Sequence, residues 1–123
     1  MRNRKTLFIA FAIEDESQRN LFKGQSFCPR APYDFIDMSV KEPYKVDWKN
    51  RVRERIRRSD GVIALVSSNS LKSEGQKWEI QCAKEESKPL LGVYAYSYDH
   101  VQVQGVDVVG WSDDNISSFI DSI

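Results

Sequence analysis

Few residues in this sequence are equipped for covalent chemistry, and one carboxylate stands apart from the rest. There is one histidine, His100, and there are two cysteines, Cys28 and Cys82. A thiol nucleophile needs a base or another activating group in reach. His100 falls in a polar loop after an aromatic strand, and Cys82 falls on an apolar helix face. Ser67 and Ser68 occupy a strand-to-helix turn, but the glycines of a nucleophile elbow are missing. No cluster has metal-ligand spacing, so no metal is expected. Glu79 is different. Ser73 and Gln76 have capping-box spacing, which starts a helix at Ser73. Winding that helix at about 100° per residue turns Lys77, Gln81, Lys84 and Lys88 to water and Trp78, Ile80, Cys82 and Ala83 inward. Glu79 falls in the middle of the inward arc. A carboxylate there is costly unless it is paired or used. An arginine or a backbone amide at the core edge would be the structural partner, and a bound ligand the functional one.

The elements that must position Glu79 follow from the hydrophobic pattern. Thr6 to Phe11 reads as a strand apolar on both faces, Asp15 to Phe22 as a short helix, and Gly24 to Pro32 as a loop. Tyr33 to Met38 reads as a second, more exposed strand, followed by a connection through Pro43. Asp47 caps a helix reaching Ser59, with Trp48, Val52 and Ile56 on its buried stripe. That helix also carries Lys49, Arg51, Arg53, Arg55, Arg57 and Arg58. Without aromatic interleaving, its basic side reads as a solvated face rather than a nucleic-acid surface. Gly61 to Val66 is a continuous apolar run suited to the centre of a parallel sheet. The Glu79 helix stops before Pro89. Leu90 to Tyr96 is a fourth strand, Val106 to Val109 a short fifth, and Asp113 or Asp114 caps a last helix reaching Ile120.

Strands alternating with helices predict an α/β fold, a doubly wound sheet of about five parallel strands with helices on both faces. In the flavodoxin-like order, ligands sit at the carboxyl ends of the strands, between the first and the third. The loops there are Phe11 to Glu14 and Ser67 to Ser70, with Asp37 and Ser39 nearby.

Composition narrows the function classes. The 123 residues suit a single domain, residues 1–123, and 18 basic residues balance 18 acidic ones, which gives no reason to expect nucleic acid or an anionic membrane as partner. Two cysteines make no disulfide framework, so reduced thiols and a cytoplasmic location are expected. Met1 to Ile13 imitates a signal peptide, but its apolar run is minimal and Glu14-Asp15-Glu16 follows at once. No stretch is long enough to span a membrane. A receiver domain would share the fold, and Glu14-Asp15 offers a faint match to its acidic cluster. The phospho-aspartate position at the end of the third strand is serine.

With the order of elements in place, the run Ser67-Ser68-Asn69-Ser70-Leu71-Lys72-Ser73-Glu74-Gly75-Gln76-Lys77-Trp78-Glu79-Ile80 resembles, without gaps, the TIR-domain motif. There a serine loop leads to a helix bearing aromatic residues and the glutamate of the NAD-cleaving members. Phe8-Ile9-Ala10-Phe11 resembles the TIR opening. Phe35-Ile36-Asp37-Met38-Ser39 with the Trp48-Lys49 helix, and Lys88-Pro89-Leu90-Leu91-Gly92-Val93, are similar to the branch holding the ThsB sensors of bacterial Thoeris anti-phage defence. The resemblance implies Glu79 as the catalytic glutamate, and Phe11, Ala12, Asp37, Ser39, Ser67 and Trp78 as substrate-binding residues. NAD would be a substrate, with no further cofactor. The tryptophan usual four residues before the glutamate is Gly75 here, and the usual serine of the first strand is Ala10. The resemblance further implies self-association, a separate effector protein that senses the product, and a phage-derived trigger. Many TIR domains are adaptors, so a non-catalytic interaction module is the alternative.

If the chain is an enzyme, one carboxylate suffices for the chemistry. Nicotinamide leaves NAD as a neutral group from a cationic ring, so no strong acid is needed. The oxocarbenium-like ribose must be stabilised, as in glycoside hydrolysis, and an ionised glutamate beneath it does so by charge. Phe11, Trp78 or Tyr94 could hold a flat ring, or simply belong to the core. Water as acceptor gives ADP-ribose, and an internal nucleophile gives a cyclic isomer.

Overall fold

Each strand is followed by a segment that must cross back over the sheet before the next strand begins, and the direction of crossing decides which face each helix covers. A computed structural model of the chain describes residues 5–26, 33–36 and 48–123. Five strands, β1 (Lys5–Ala10), β2 (Tyr33–Ile36), β3 (Gly61–Val66), β4 (Leu90–Tyr94) and β5 (Val108–Val109), pair in the order β2-β1-β3-β4-β5. Every pairing is parallel. The order reverses between β1 and β3, where Leu7 to Ala10 run beside Gly61 to Ala64.

Strand alternation splits the core in two. Leu7, Ile9, Phe11, Ile63, Leu65 and Val93 face α1 (Glu16–Ser26) and α4 (Asp113–Ser122), which contribute Phe22, Ile116 and Ile120. Phe8, Ala10, Val62, Ala64 and Val66 face α2 (Trp48–Arg58) and α3 (Glu74–Glu85), which contribute Val52, Ile56, Ile80, Cys82 and Ala83. β3 is buried along its whole length, as a continuous apolar run at the middle of a sheet covered on both faces should be. The doubly wound fold read from the sequence is therefore the fold observed.

The differences lie at element ends, where side chains compete with the ladder. α1 is entered through a 3-10 turn, Ile13–Asp15, and continues past Phe22 to Ser26. β4 stops at Tyr94, not Tyr96, and the Tyr96 hydroxyl turns back to Asp15. β5 is only two residues long, because the Val106 N–H is engaged in a turn with the Val103 carbonyl at 3.2 Å. Ser112, not Asp113 or Asp114, caps α4 by accepting the Asn115 N–H at 3.1 Å. Asp47, expected to cap α2, lies outside the described residues.

The basic side of α2 is also less solvated than expected. Arg53 binds Glu85 at 2.8 Å and Glu86 at 2.7 Å, and Arg57 binds Glu86 at 2.7 Å. These hydrogen bonds hold both guanidinium groups above, and both carboxyls below, their ordinary titration ranges. No described helix is long and apolar enough to cross a membrane.

Candidate site at the carboxyl ends of the first and third strands

β1 and β3 are neighbours whose following segments leave on opposite faces, so their carboxyl ends open a crevice that side chains must close. Three turns meet there. After β1, the Ala12 carbonyl accepts the Asp15 N–H at 2.8 Å and forms the 3-10 turn. After β3, a second 3-10 turn, Ser68–Leu71, carries a reciprocal capping box: the Ser67 hydroxyl caps the turn's N–H groups and the Ser70 hydroxyl accepts the Ser67 N–H at 3.0 Å. After β4, Asp99 accepts from the Ser68 N–H at 2.8 Å and the Ser68 hydroxyl at 2.9 Å.

A buried carboxylate ties the three together. Asp15 has no exposed surface. Its Oδ2 accepts the Ser67 hydroxyl at 2.5 Å, and its Oδ1 accepts the Asn69 amide at 2.9 Å and the Tyr96 hydroxyl at 3.0 Å. Three donors from two other segments satisfy a charge that burial would otherwise penalise. Burial first, and then the bond to Asp15, push the Tyr96 phenol up to about 12. From the sequence Asp15 reads only as the start of a helix, and this role is not visible there. Its one signal is the acidic run after β1, which reads as a break in the apolar start of the chain and as a faint receiver-like match.

α3 supplies the other half of the site. Ser73 caps it by accepting the Gln76 N–H at 3.1 Å. The expected reciprocal bond from the Gln76 side chain is not made. That side chain turns inward, where Nε2 donates to the Ala10 carbonyl of β1 at 3.1 Å and to the Leu65 carbonyl of β3 at 2.7 Å. Gln76 is fully buried, and its Oε1 accepts no hydrogen bond. Leaving such an acceptor unmade costs about 1–3 kcal/mol. Glu79 follows three positions later on the same helix face and is also fully buried, as the helical winding predicts.

The remaining candidates separate. Ser67 belongs to the Asp15 network. Ala12 is buried at the turn beside it. Phe11 is 2% exposed, packed under α1 with the Arg19 guanidinium 5.0 Å from its ring centre. Trp78 lies on the other side of the sheet, on the flank of α3 that meets α2. It packs edge-on to Trp48 at 5.4 Å, with Arg53 5.5 Å from its ring. Trp78 and Phe11 are thus not brought together to clasp one ring. Tyr94 is stacked on His100 at 4.1 Å. Asp37, Ser39 and Cys28 lie outside the described residues. Burial holds the Cys82 thiol above its ordinary titration range, which disfavours a thiolate nucleophile. Among the described residues, no group of three or more potential ligands is placed to hold a metal ion.

The model of the family described as "Thoeris protein ThsB, TIR-like domain" matches residues 8–100. The chain belongs to this family. The ThsB-type match runs from the second half of β1 to the loop beyond β4, and so takes in both halves of the site. Among solved structures, the chain is similar to the TIR domain of the Toll-related receptor TRR-2 from Hydra magnipapillata. The TM-score is 0.61 at 16% identity, covering 94% of this chain and 91% of that one. At that identity the likeness is one of fold. No curated protein sequence matches the chain. Gly75 stands in this ThsB-type chain where the family resemblance leads one to expect a tryptophan. A Cβ there would meet nothing within 4 Å, so the local packing does not require glycine.

Proposed function

We propose that this ThsB-type chain is a TIR enzyme of anti-phage defence that cleaves the bond between nicotinamide and ribose in NAD. The reading is carried by Glu79, a fully buried carboxylate on α3, which starts at the crevice between β1 and β3 where ligands of such sheets bind. The bond between the ribose C1′ and the nicotinamide nitrogen breaks, and its electron pair neutralises the pyridinium as nicotinamide leaves. Glu79 stabilises the positive ribose by charge. If water attacks, its oxygen joins C1′ and a proton is released, giving ADP-ribose. If an internal nucleophile of the same molecule attacks, the product is a cyclic ADP-ribose isomer, which suits a signal read by a separate effector protein.

In this reading NAD is the substrate, the chain self-associates when active, a phage-derived factor triggers it, and it works in the cytoplasm. Ser67 and Ala12 shape the crevice, with Asp37 and Ser39 expected to complete it. The complete burial of Glu79 favours a second reading, an interaction module in which the carboxylate only helps to hold the fold.

The test is incubation of concentrated, purified protein with NAD, with mass spectrometry for nicotinamide and ADP-ribose species and Glu79→Gln alongside. Nicotinamide release that vanishes in the variant is the expected result, and the mass of the co-product separates hydrolysis from cyclisation. Silence from the wild type, repeated in lysate of phage-infected cells, would leave the interaction module.

A further inference from the structure

Gln76 does two jobs by its position but only one by its hydrogen bonds. Both Nε2 protons have acceptors, the carbonyls of Ala10 and Leu65. Because both of those neighbours are acceptors, the orientation of the amide is fixed, and Oε1 is the atom left over. That oxygen is inaccessible to solvent and accepts no hydrogen bond. A side chain needed only as a strap between two strand ends has no use for a buried carbonyl, and buried acceptors are nearly always satisfied. The orphan lies where sheet order reverses, three positions before Glu79 on one helix face.

We propose that Gln76 is a ligand-contacting residue of the Glu79 site, its Oε1 accepting a hydrogen bond from an O–H or N–H of the bound nucleotide. The inference rests on the NAD reading above. The donor is either a hydroxyl of the ribose whose bond breaks or the carboxamide N–H of nicotinamide. The two carbonyls hold the amide plane, so the strap fixes the position of the acceptor, and a ligand reaches it by displacing the atoms that cover it.

The experiment measures binding of NAD by calorimetry to Glu79→Gln, which should not turn it over, and to the same protein carrying Gln76→Met as well. The 3-acetylpyridine analogue, which lacks the carboxamide N–H, is the second probe. Loss of the acceptor should weaken NAD binding about tenfold. If the donor is the carboxamide, the analogue binds Glu79→Gln as weakly as NAD binds the double variant, and Gln76→Met weakens it no further. If the donor is a ribose hydroxyl, Gln76→Met weakens both ligands equally. Should Gln76→Met fail to fold, the side-chain amide of Gln76 is followed by nitrogen-15 NMR in the Glu79→Gln protein, where its protons should shift in step with NAD binding. Unchanged affinity with a lowered melting temperature, or an amide signal that ignores bound NAD, would reduce Gln76 to a strap and overturn the proposal while leaving the NAD reading intact. Absence of NAD binding to wild type and variants alike would overturn the NAD reading itself, and this inference with it.

Discussion

The two ends of α3 treat polar side chains in opposite ways. In its last turn, Glu85 and Glu86 meet Arg53 and Arg57 of α2 in a ladder of ion pairs that remains partly open to solvent. In its first two turns, Gln76 and Glu79 are fully buried, and Gln76 holds a carbonyl with nothing to accept. The last turn is solved as a surface problem: charges are neutralised by neighbours, and water covers the remainder. The first turns keep polar atoms where burial is most expensive, at the strand ends where a ligand would sit. Folds tolerate such local conflict chiefly where function requires it.

Glu79→Gln should have the largest effect. If the first turns serve chemistry, the variant loses NAD cleavage by about 10²-fold or more. Its melting temperature should change little, since glutamine keeps the shape and volume of the buried side chain. A drop of about 3–5 kcal/mol in stability would instead mark Glu79 as one half of a structural ion pair. Activity by mass spectrometry and stability by denaturant unfolding decide between the two.

Asp15 stands on the other side of the crevice. It is as buried as Glu79, and three donors satisfy it. Asp15→Ala strands the hydroxyls of Ser67 and Tyr96 and the amide of Asn69, and should destabilise the fold by about 2–4 kcal/mol in urea unfolding. Asp15→Asn should move the Tyr96 phenol down from about 12 toward its ordinary 10, read by ultraviolet titration of tyrosinate. An Asp15→Ala protein of wild-type stability would show that the network does not hold the three turns.

The ion-pair end predicts a smaller effect with a definite pH dependence. The Glu86 carboxyl titrates below its ordinary 4.5 because Arg57, then Arg53, hydrogen-bond its charged form. A carboxylate depressed in the folded state contributes stability above its unfolded value, and that contribution is lost as pH falls through the folded one. Glu86→Gln should therefore melt slightly lower than wild type at pH 7, and the two curves should converge in acid. A gap that persists in strong acid would mean that Glu86 acts by packing and not by charge.

How far these contrasts could be read in advance differs between scaffold and site. The central strand Gly61–Val66 appears with the boundaries its apolar run predicts, because burial on both faces leaves no polar position to blur them. The inward placement of Glu79 also follows from helical winding alone. Trp78 shows the limit of that argument. The winding put it inward, but inward along α3 spans both the sheet and α2, and only the partner helix decides that Trp78 meets Trp48. Gln76 was hidden by a competing role, since its spacing from Ser73 fits a capping box. Winding places it about 60° from Glu79, inside the same buried arc, so the signal was present. Asp15 carried no periodic signal at all. Its partners lie 52, 54 and 81 positions away, and no local pattern announces such a meeting.

Gly75 gives the smallest effect and tests whether the first turn of α3 is tuned or merely permissive. It sits between Glu74 and Gln76 in that turn, and a Cβ there would meet nothing within 4 Å. By packing alone, Gly75→Ala should stabilise the helix by about 0.5–1 kcal/mol, because alanine loses less backbone entropy. Gly92 is the control with the opposite sign: a Cβ there would come within 2.8 Å of the side chains of Val106 and Val108. Paired melting curves of Gly75→Ala and Gly92→Ala should therefore move in opposite directions. If Gly75→Ala is stable but weakens NAD turnover, the open space beside Trp48 and Trp78 is needed by something that approaches the helix during the reaction. If stability rises and turnover holds, the glycine is an unused tolerance, and the demands on this end of α3 narrow to Gln76 and Glu79.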